Sequence, residues 1–307
     1  MRLRQAERDL WDSVGVTPAE RMIRLKHSGA TVRLQEVGEG SPIVFVHGAS
    51  NSGTSWASLV CRLEGFRCLL LDRPGCGLSD RLETPFADVE GLTTFSATLV
   101  TDVLDALELR SANVIATSYG GYAALRGAAA SPERIGRVVI FGWMMGAPMA
   151  RMPMVMRVAS VPRIGRALAS VPINERAVRS MFRRIGLRQA LEAGRVSDET
   201  VRAYLALLRH TDTMRNELDV GRFLMRPIKG LDRGLLFSSS ERAAISTPIY
   251  FLWGAEDPFA GEQIARDFVE PFPDAELELL PGAGHAVWLD DPDRAVDVTT
   301  RFLRSAV

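Results

Sequence analysis

The stretch Val114-Ile115-Ala116-Thr117-Ser118-Tyr119-Gly120-Gly121 decides how this chain is read. A strand-like apolar run stops at a serine, and a helical pattern from Tyr122 to Ala130 follows at once. Ala116 and Gly120 lie two places to either side of Ser118. Small residues there suit a tight strand-to-helix turn, which brings backbone segments close together. Such a turn lifts the hydroxyl over the end of a sheet, where a small molecule can reach it. A serine before a helix also serves as an N-cap, so the turn alone leaves both roles open. The pattern departs from G-x-S-x-G by one methyl group, at Ala116.

The rest of the chain builds the sheet around this turn. Residues 1–20 read as a short amphipathic lead around Leu10 and Trp11, and residues 22–27 and 31–37 as a hairpin around Gly29. Buried strands are expected at 43–46, 68–71, 112–117, 138–141, 248–253 and about 275–280. Helices are expected near 54–63, 94–108, 122–130, 261–270 and 291–305. Continuous apolar strands alternating with amphipathic helices predict an α/β fold: a mostly parallel, doubly wound sheet of about eight strands, covered on both faces. Strand character stops at Trp143 and returns at Pro248. The chain therefore divides into a core of residues 1–142 and 241–307 and a helical insertion of residues 143–240.

Composition narrows the classes. Of 307 residues, 37 are basic and 37 acidic, so the molecule as a whole offers no general attraction to nucleic acid. The three cysteines, Cys61, Cys68 and Cys76, form neither a disulfide framework nor a zinc-spaced cluster. The first thirty residues carry charge throughout, and no stretch approaches a membrane span. The expectation is a soluble, cytoplasmic protein with no stable membrane insertion.

A serine hydroxyl needs a base to become a nucleophile near neutral pH. Of the four histidines, His27 falls in the early hairpin and His210 in the inserted helices. His47 and His285 both follow strands at the carboxyl edge, where ligands bind in such sheets. His285 ends the loop Pro281-Gly282-Ala283-Gly284-His285, which lets its ring swing over Ser118; it is the expected base. Asp257, just past the preceding strand, is the expected orienting acid, with Glu256 as the fallback. The oxyanion donors are expected to be the backbone N–H groups of Tyr119, directly after Ser118, and Ala49, in the loop His47-Gly48-Ala49-Ser50. His47 is read as a ring that pins that loop. No metal or organic cofactor is implied.

Taken together, Val46-His47-Gly48, Trp56, Asp72-Arg73-Pro74-Gly75-Cys76-Gly77-Leu78-Ser79, the Ser118 turn, Gly254-Ala255-Glu256-Asp257 and Gly282-Ala283-Gly284-His285 resemble the α/β-hydrolase superfamily in its serine-triad, esterase-like branch. The resemblance runs from about residue 22 to the C-terminus. It implies a triad in the order Ser118, Asp257, His285, and a lid formed by residues 143–240. It implies a structural role for the Asp72–Ser79 turn. Epoxide hydrolases and haloalkane dehalogenases of this fold carry aspartate where Ser118 stands, and dehalogenases favour asparagine where Ala49 stands, so both activities are disfavoured.

Nine of the eleven methionines fall in the insertion, six of them at Met144, Met145, Met149, Met152, Met154 and Met156. Flexible, polarisable side chains suit an adaptable apolar wall, or simply the lid's own core. Trp143, Met144, Met145 and Trp288 are the candidates for lining a substrate pocket. The insertion from Trp143 to Leu236 carries 17 basic and 8 acidic residues, an excess of nine positive charges that the rest of the chain balances. The reading is a serine hydrolase acting on a carboxylic ester of a hydrophobic small molecule. A carbon–carbon bond hydrolase of a dienoic ring-cleavage product and a non-catalytic ligand-binding member of the fold are the alternatives. Residues 1–20 lie outside the pattern and are assigned no role; bracing the lid and bracing a second subunit are the two options, which leaves a homo-oligomer open.

Overall fold

A computed structural model gives the fold and describes residues 2–83, 86–150, 161–169, 171–226 and 230–304. The chain opens with helix α1 (Leu3–Ser13), then an antiparallel hairpin of β1 (Ala19–Arg24) and β2 (Thr31–Val37). Strands β3 (Ser41–Val46), β4 (Phe66–Leu71), β5 (Ala112–Ser118) and β6 (Ile135–Met144) alternate with α2 (Ala57–Val60), α3 (Val89–Ala106) and α4 (Tyr119–Ala130). Five helices follow: α5 (Pro162–Ala169), α6 (Glu175–Arg184), α7 (Arg188–Glu192), α8 (Asp198–His210) and α9 (Thr213–Leu224). A minimal strand pair, β7 (Met225–Arg226) and β8 (Gly230–Leu231), and helix α10 (Ser239–Ala243) lead back to the sheet. The chain closes with β9 (Ile249–Gly254), α11 (Glu262–Val269), β10 (Ala275–Leu280), α12 (Val287–Asp290) and α13 (Pro292–Arg304).

Eight strands make one sheet in the order β1-β2-β4-β3-β5-β6-β9-β10. The β1–β2 and β2–β4 pairs are antiparallel and every other neighbouring pair is parallel. Successive side chains of a strand point to opposite faces, so the continuous apolar runs feed two apolar layers. Val44, Val46, Leu69, Leu71, Val114, Ala116, Val138 and Ile140 pack under α3 and α4. Ile43, Phe45, Cys68, Leu70, Ile115, Val139 and Phe141 face the other way, toward α1, α2, α12, α13 and the inserted helices. That alternation explains why the strands lack a polar face.

The sequence pattern placed some boundaries differently. Helix α3 begins at Val89, not near residue 94, because the Asp88 side chain caps it by accepting from Gly91 N–H at 2.8 Å. Strand β6 continues through Gly142 to Met144. The inserted region also holds the two-residue strands β7 and β8, too short to leave a period in the sequence.

Candidate active site

Ser118 sits at the junction of β5 and α4 with φ 53° and ψ −121°, a conformation that non-glycine residues avoid. Its side chain makes no helix-capping hydrogen bond, so the N-cap role is not taken. The loop after β3 crosses close by: a Cβ on Gly48 would fall 2.8 Å from Ser118 Cβ. Gly120 is packed tighter still, since a Cβ there would lie 2.0 Å from the Val46 carbonyl oxygen. Ala116, by contrast, is buried in mid-sheet between Val46 and Ile140, and its methyl is accommodated.

The His285 ring comes from the loop after β10, and Asp257 from the loop after β9. Nδ1–H of His285 donates to Asp257 Oδ2 at 2.8 Å, which leaves Nε2 as the ring's acceptor. The carboxylate is buried and accepts two more N–H groups, Trp143 N–H on Oδ2 at 2.8 Å and Phe259 N–H on Oδ1 at 3.0 Å. Trp143 and Phe259 flank the imidazole, with centroids 6.3 and 4.7 Å away. The end of β6 bridges Ser118 and Asp257: Met145 N–H donates to Ser118 O at 3.1 Å, and Trp143 N–H to Asp257 Oδ2. Among the described residues no hydrogen bond yet joins Ser118 to His285; in free enzymes such contacts are often long and tighten with substrate.

Tyr119 opens α4, so its N–H has no partner within the helix. Ala49 is exposed at a turn, next to Ser50 at φ 54°. The Gly48 carbonyl of the same peptide unit accepts from His47 Nδ1–H at 2.7 Å and from Arg73 Nη2 at 2.9 Å. His47 Nε2 accepts Arg73 N–H at 3.1 Å, so both ring nitrogens are engaged. Burial, then the neighbouring Arg73 charge, pushes the His47 pKa well below the ordinary imidazole value. His47 is therefore a neutral pin of the loop and not a proton carrier.

The four expected pocket residues divide. Trp143 lies beside the imidazole, its Nε1–H tied to Pro148 O at 3.0 Å. Met144 and Met145 are buried in the apolar layer beneath α3 and α4, Met144 against Gly121. Trp288 belongs to the opposite layer, 4.5 Å from Trp56 and 6.1 Å from Phe141 between ring centroids, with Nε1–H donating to Ser55 O at 3.3 Å. Met144, Met145 and Trp288, like Trp143, are buried side chains of these two layers. Met152, Met154 and Met156 lie outside the described residues.

Several neighbours of the site went unread in the sequence. Arg73 is buried and pairs with Glu217 of α9 at 2.6 Å. Ile185 O, between α6 and α7, accepts His285 N–H at 2.9 Å. Asp290 Oδ2 accepts Gly284 N–H at 2.8 Å, and burial pushes its carboxyl up to about 6. The first two pair residues remote in sequence and the third joins a loop to the short helix α12, so none leaves a periodic pattern. Among the described residues no cluster of three or more metal-ligating side chains occurs.

Residues 43–298 match the model of a family described as "Alpha/beta hydrolase family". A 2-hydroxy-6-oxononadienedioate/2-hydroxy-6-oxononatrienedioate hydrolase from Cupriavidus pinatubonensis is 26% identical over 278 residues, 87% of this chain and 90% of that protein. Among solved structures, carboxylesterase CesB from Bacillus subtilis superposes with a TM-score of 0.77 at 19% identity, covering 99% of this chain and 98% of the other. The 2-hydroxy-6-oxo-6-phenylhexa-2,4-dienoate hydrolase of a Rhodococcus species superposes with a TM-score of 0.78 at 18% identity, covering 94% and 100%. At these identities the two structures share the fold.

Proposed function

The chain belongs to the alpha/beta hydrolase family, and from that premise we propose that it is a serine hydrolase that cleaves a carboxylic ester of a hydrophobic small molecule through an acyl-enzyme. The observation that carries the reading is the Asp257–His285 pair, 2.8 Å apart with the carboxylate buried, set across the end of β6 from a strained, uncapped Ser118. His285 Nε2 takes the Ser118 proton as Oγ attacks the ester carbonyl, then returns it to the leaving alcohol. Asp257 fixes the tautomer and stabilises the imidazolium. The N–H groups of Tyr119 and Ala49 receive the developing oxyanion. A water activated by His285 then frees the acid. Residues 143–240 act as the lid, with Trp143 as a pocket wall beside the base. No helix of the described residues is long and apolar enough to cross a membrane.

A second reading is favoured by the name of the 26%-identical relative: hydrolysis of a carbon–carbon bond in an anionic dienoate. Arg73 speaks for the ester. This buried cation beside the oxyanion loop is already committed to Glu217 and to the carbonyls of His47 and Gly48, and so is not free for a substrate carboxylate. The deciding experiment compares kcat/KM on p-nitrophenyl esters of two to eight carbons with that on a 2-hydroxy-6-oxo-dienedioate. Esters are expected to lead, and Ser118→Ala is expected to lower ester turnover by about four to six orders of magnitude. Faster turnover of the dienedioate selects the second reading. Tight binding of ligands with no turnover of either class selects a non-catalytic role.

A further inference from the structure

We propose that Arg73 and Glu217 are positioning residues for the oxyanion loop, and that through Glu217 the seated lid holds the Ala49 N–H in its working direction. The inference rests on the serine-hydrolase reading above. In a trans peptide the C=O and N–H lie in one rigid plane and point opposite ways. Fixing the Gly48 carbonyl therefore fixes the Ala49 N–H. Two donors hold that carbonyl, His47 Nδ1–H at 2.7 Å and Arg73 Nη2 at 2.9 Å. Arg73 Nε holds the preceding carbonyl, His47 O, at 3.1 Å. The same guanidinium lies 4.4 Å from the ring centroid of Tyr119, the residue that supplies the other expected donor. One cation thus touches both halves of the oxyanion site, and donating to a peptide carbonyl also polarises that peptide's N–H.

Glu217 ties this arrangement to the lid. Its Oε1 accepts from Arg73 Nη2 at 2.6 Å and from Cys76 Sγ at 3.1 Å. Both side chains of the pair are under 10% exposed, at 7% and 9%. A buried charge is costly without its partner, so Arg73 keeps its place only while α9 is docked. Two more bonds seat that helix on the same turn: Gly77 N–H to Thr213 Oγ1 at 3.0 Å and Asn216 Nδ2 to Pro74 O at 3.3 Å. Fixed donors aimed at the oxyanion act in the transition state more than in the ground state. That difference separates positioning from simple packing.

The test uses the full chain with p-nitrophenyl butyrate and two inhibitors. One is an alkyl trifluoromethyl ketone, which forms a hemiketal oxyanion on a serine; the other is the matching alcohol, which forms none. For Arg73→Met, kcat should fall about ten- to a hundredfold, below the 10²–10³ lost with a whole oxyanion donor. KM should stay within about threefold, ketone affinity should fall in step with kcat, and alcohol affinity should hold. Glu217→Ala should follow Arg73→Met, while Glu217→Gln, which keeps an acceptor for Nη2, should lose roughly three- to tenfold. Equal weakening of both inhibitors, or wild-type kcat in Arg73→Met, overturns the proposal. Ser118→Ala is the control: if it retains ester turnover, the hydrolase reading itself fails; if it is silent, the Arg73 result judges positioning alone. Should Arg73→Met not fold, as read by circular dichroism, the charge-free pair Arg73→Met/Glu217→Leu is read by the same criteria.

Discussion

Gly120 and Asp290 show how little freedom single residues near the site have. A methyl on Gly120 would meet the Val46 carbonyl at 2.0 Å, with backbone on both sides of the clash. Gly120→Ala must therefore shift α4 against β3, and Ser118 moves with it. We expect kcat to drop at least about a hundredfold, the cost of roughly 1 Å of misplacement, with a lowered melting temperature and slower fluorophosphonate labelling. Asp290 acts on the loop that carries His285: one oxygen holds Gly284 N–H, while the other is buried and has no partner among the described residues. Its folded pKa, raised from 3.8 to about 6, means the folded protein holds this proton more tightly than the unfolded chain does. The stability it contributes is thus fully present below about pH 4 and lost as the pH rises through about 6. Asp290→Asn cannot ionise, so melts between pH 4.5 and 7.5 should fall less with rising pH in the variant than in the parent. An identical pH profile in both would remove this role. Such features were only partly legible in the sequence. Ser118 stands where an apolar strand stops, and Asp257 and His285 lie three and five residues past the ends of β9 and β10, so parallel topology sets all three at the carboxyl edge of one sheet. Trp288 stands three residues past His285, and its packing against Trp56 and Phe141 leaves no local signal in the sequence.

Among the elements, α1 had no assigned part in the sequence pattern, and its packing gives it one. Leu3, Ala6, Leu10 and Trp11 are buried in the lower apolar layer, and the helix lies against α8 of the inserted region. Its Glu7 enters the core edge, where Arg33, with no exposed surface, is held by Glu7 at 2.6 Å and Asp72 at 2.8 Å. Burial works against that charge, but Asp72 and Glu7 outweigh it and keep the guanidinium protonated. Asp72 also accepts from Gly53 N–H and Leu78 N–H, so the network joins α1, β2 and the turn beneath Arg73. The sequence hid this because Glu7, Arg33 and Asp72 lie far apart, and Glu7 and Arg33 each look like an ordinary surface charge. Deleting residues 2–13 would strip one wall from α8 and leave Arg33 short of a counter-charge, and breaking a buried pair costs about 3–5 kcal/mol. Hydrogen exchange should then rise most in residues 198–210, while β3 and β5 stay protected. Uniform loss of protection would instead mean that α1 is needed for the whole fold.

Across the whole molecule, the inserted helices grip both sides of the candidate site. On the oxyanion side α9 holds the turn after β4 through Thr213, Asn216 and Glu217. On the base side the turn between α6 and α7 lies on the loop that carries His285: Ile185 O accepts His285 N–H at 2.9 Å. The turn and the loop meet glycine on glycine. A Cβ on Gly284 would fall 2.5 Å from Gly186 Cα, and one on Gly186 2.6 Å from Gly284 Cα. The position of the inserted helices and that of the imidazole are therefore one geometric fact, since a rigid packed contact passes displacement on and does not absorb it. Gly186 has φ 95°, so a side chain there would strain the backbone as well as crowd it, whereas Gly284 has no positive φ and isolates the steric effect. Gly284→Ala must push the 185–186 turn and the 284–285 loop apart by about 1 Å to reach ordinary contact distance, loosening the Ile185–His285 bond while leaving Ser118, Arg73 and the oxyanion loop untouched. A loss in kcat of about a hundredfold is expected from such misplacement of the base, with the rate of fluorophosphonate labelling falling alongside it and the trifluoromethyl ketone still discriminated from its alcohol. If Gly284→Ala instead turned over ester at the parental rate, the lid and the base would be mechanically independent despite their contact.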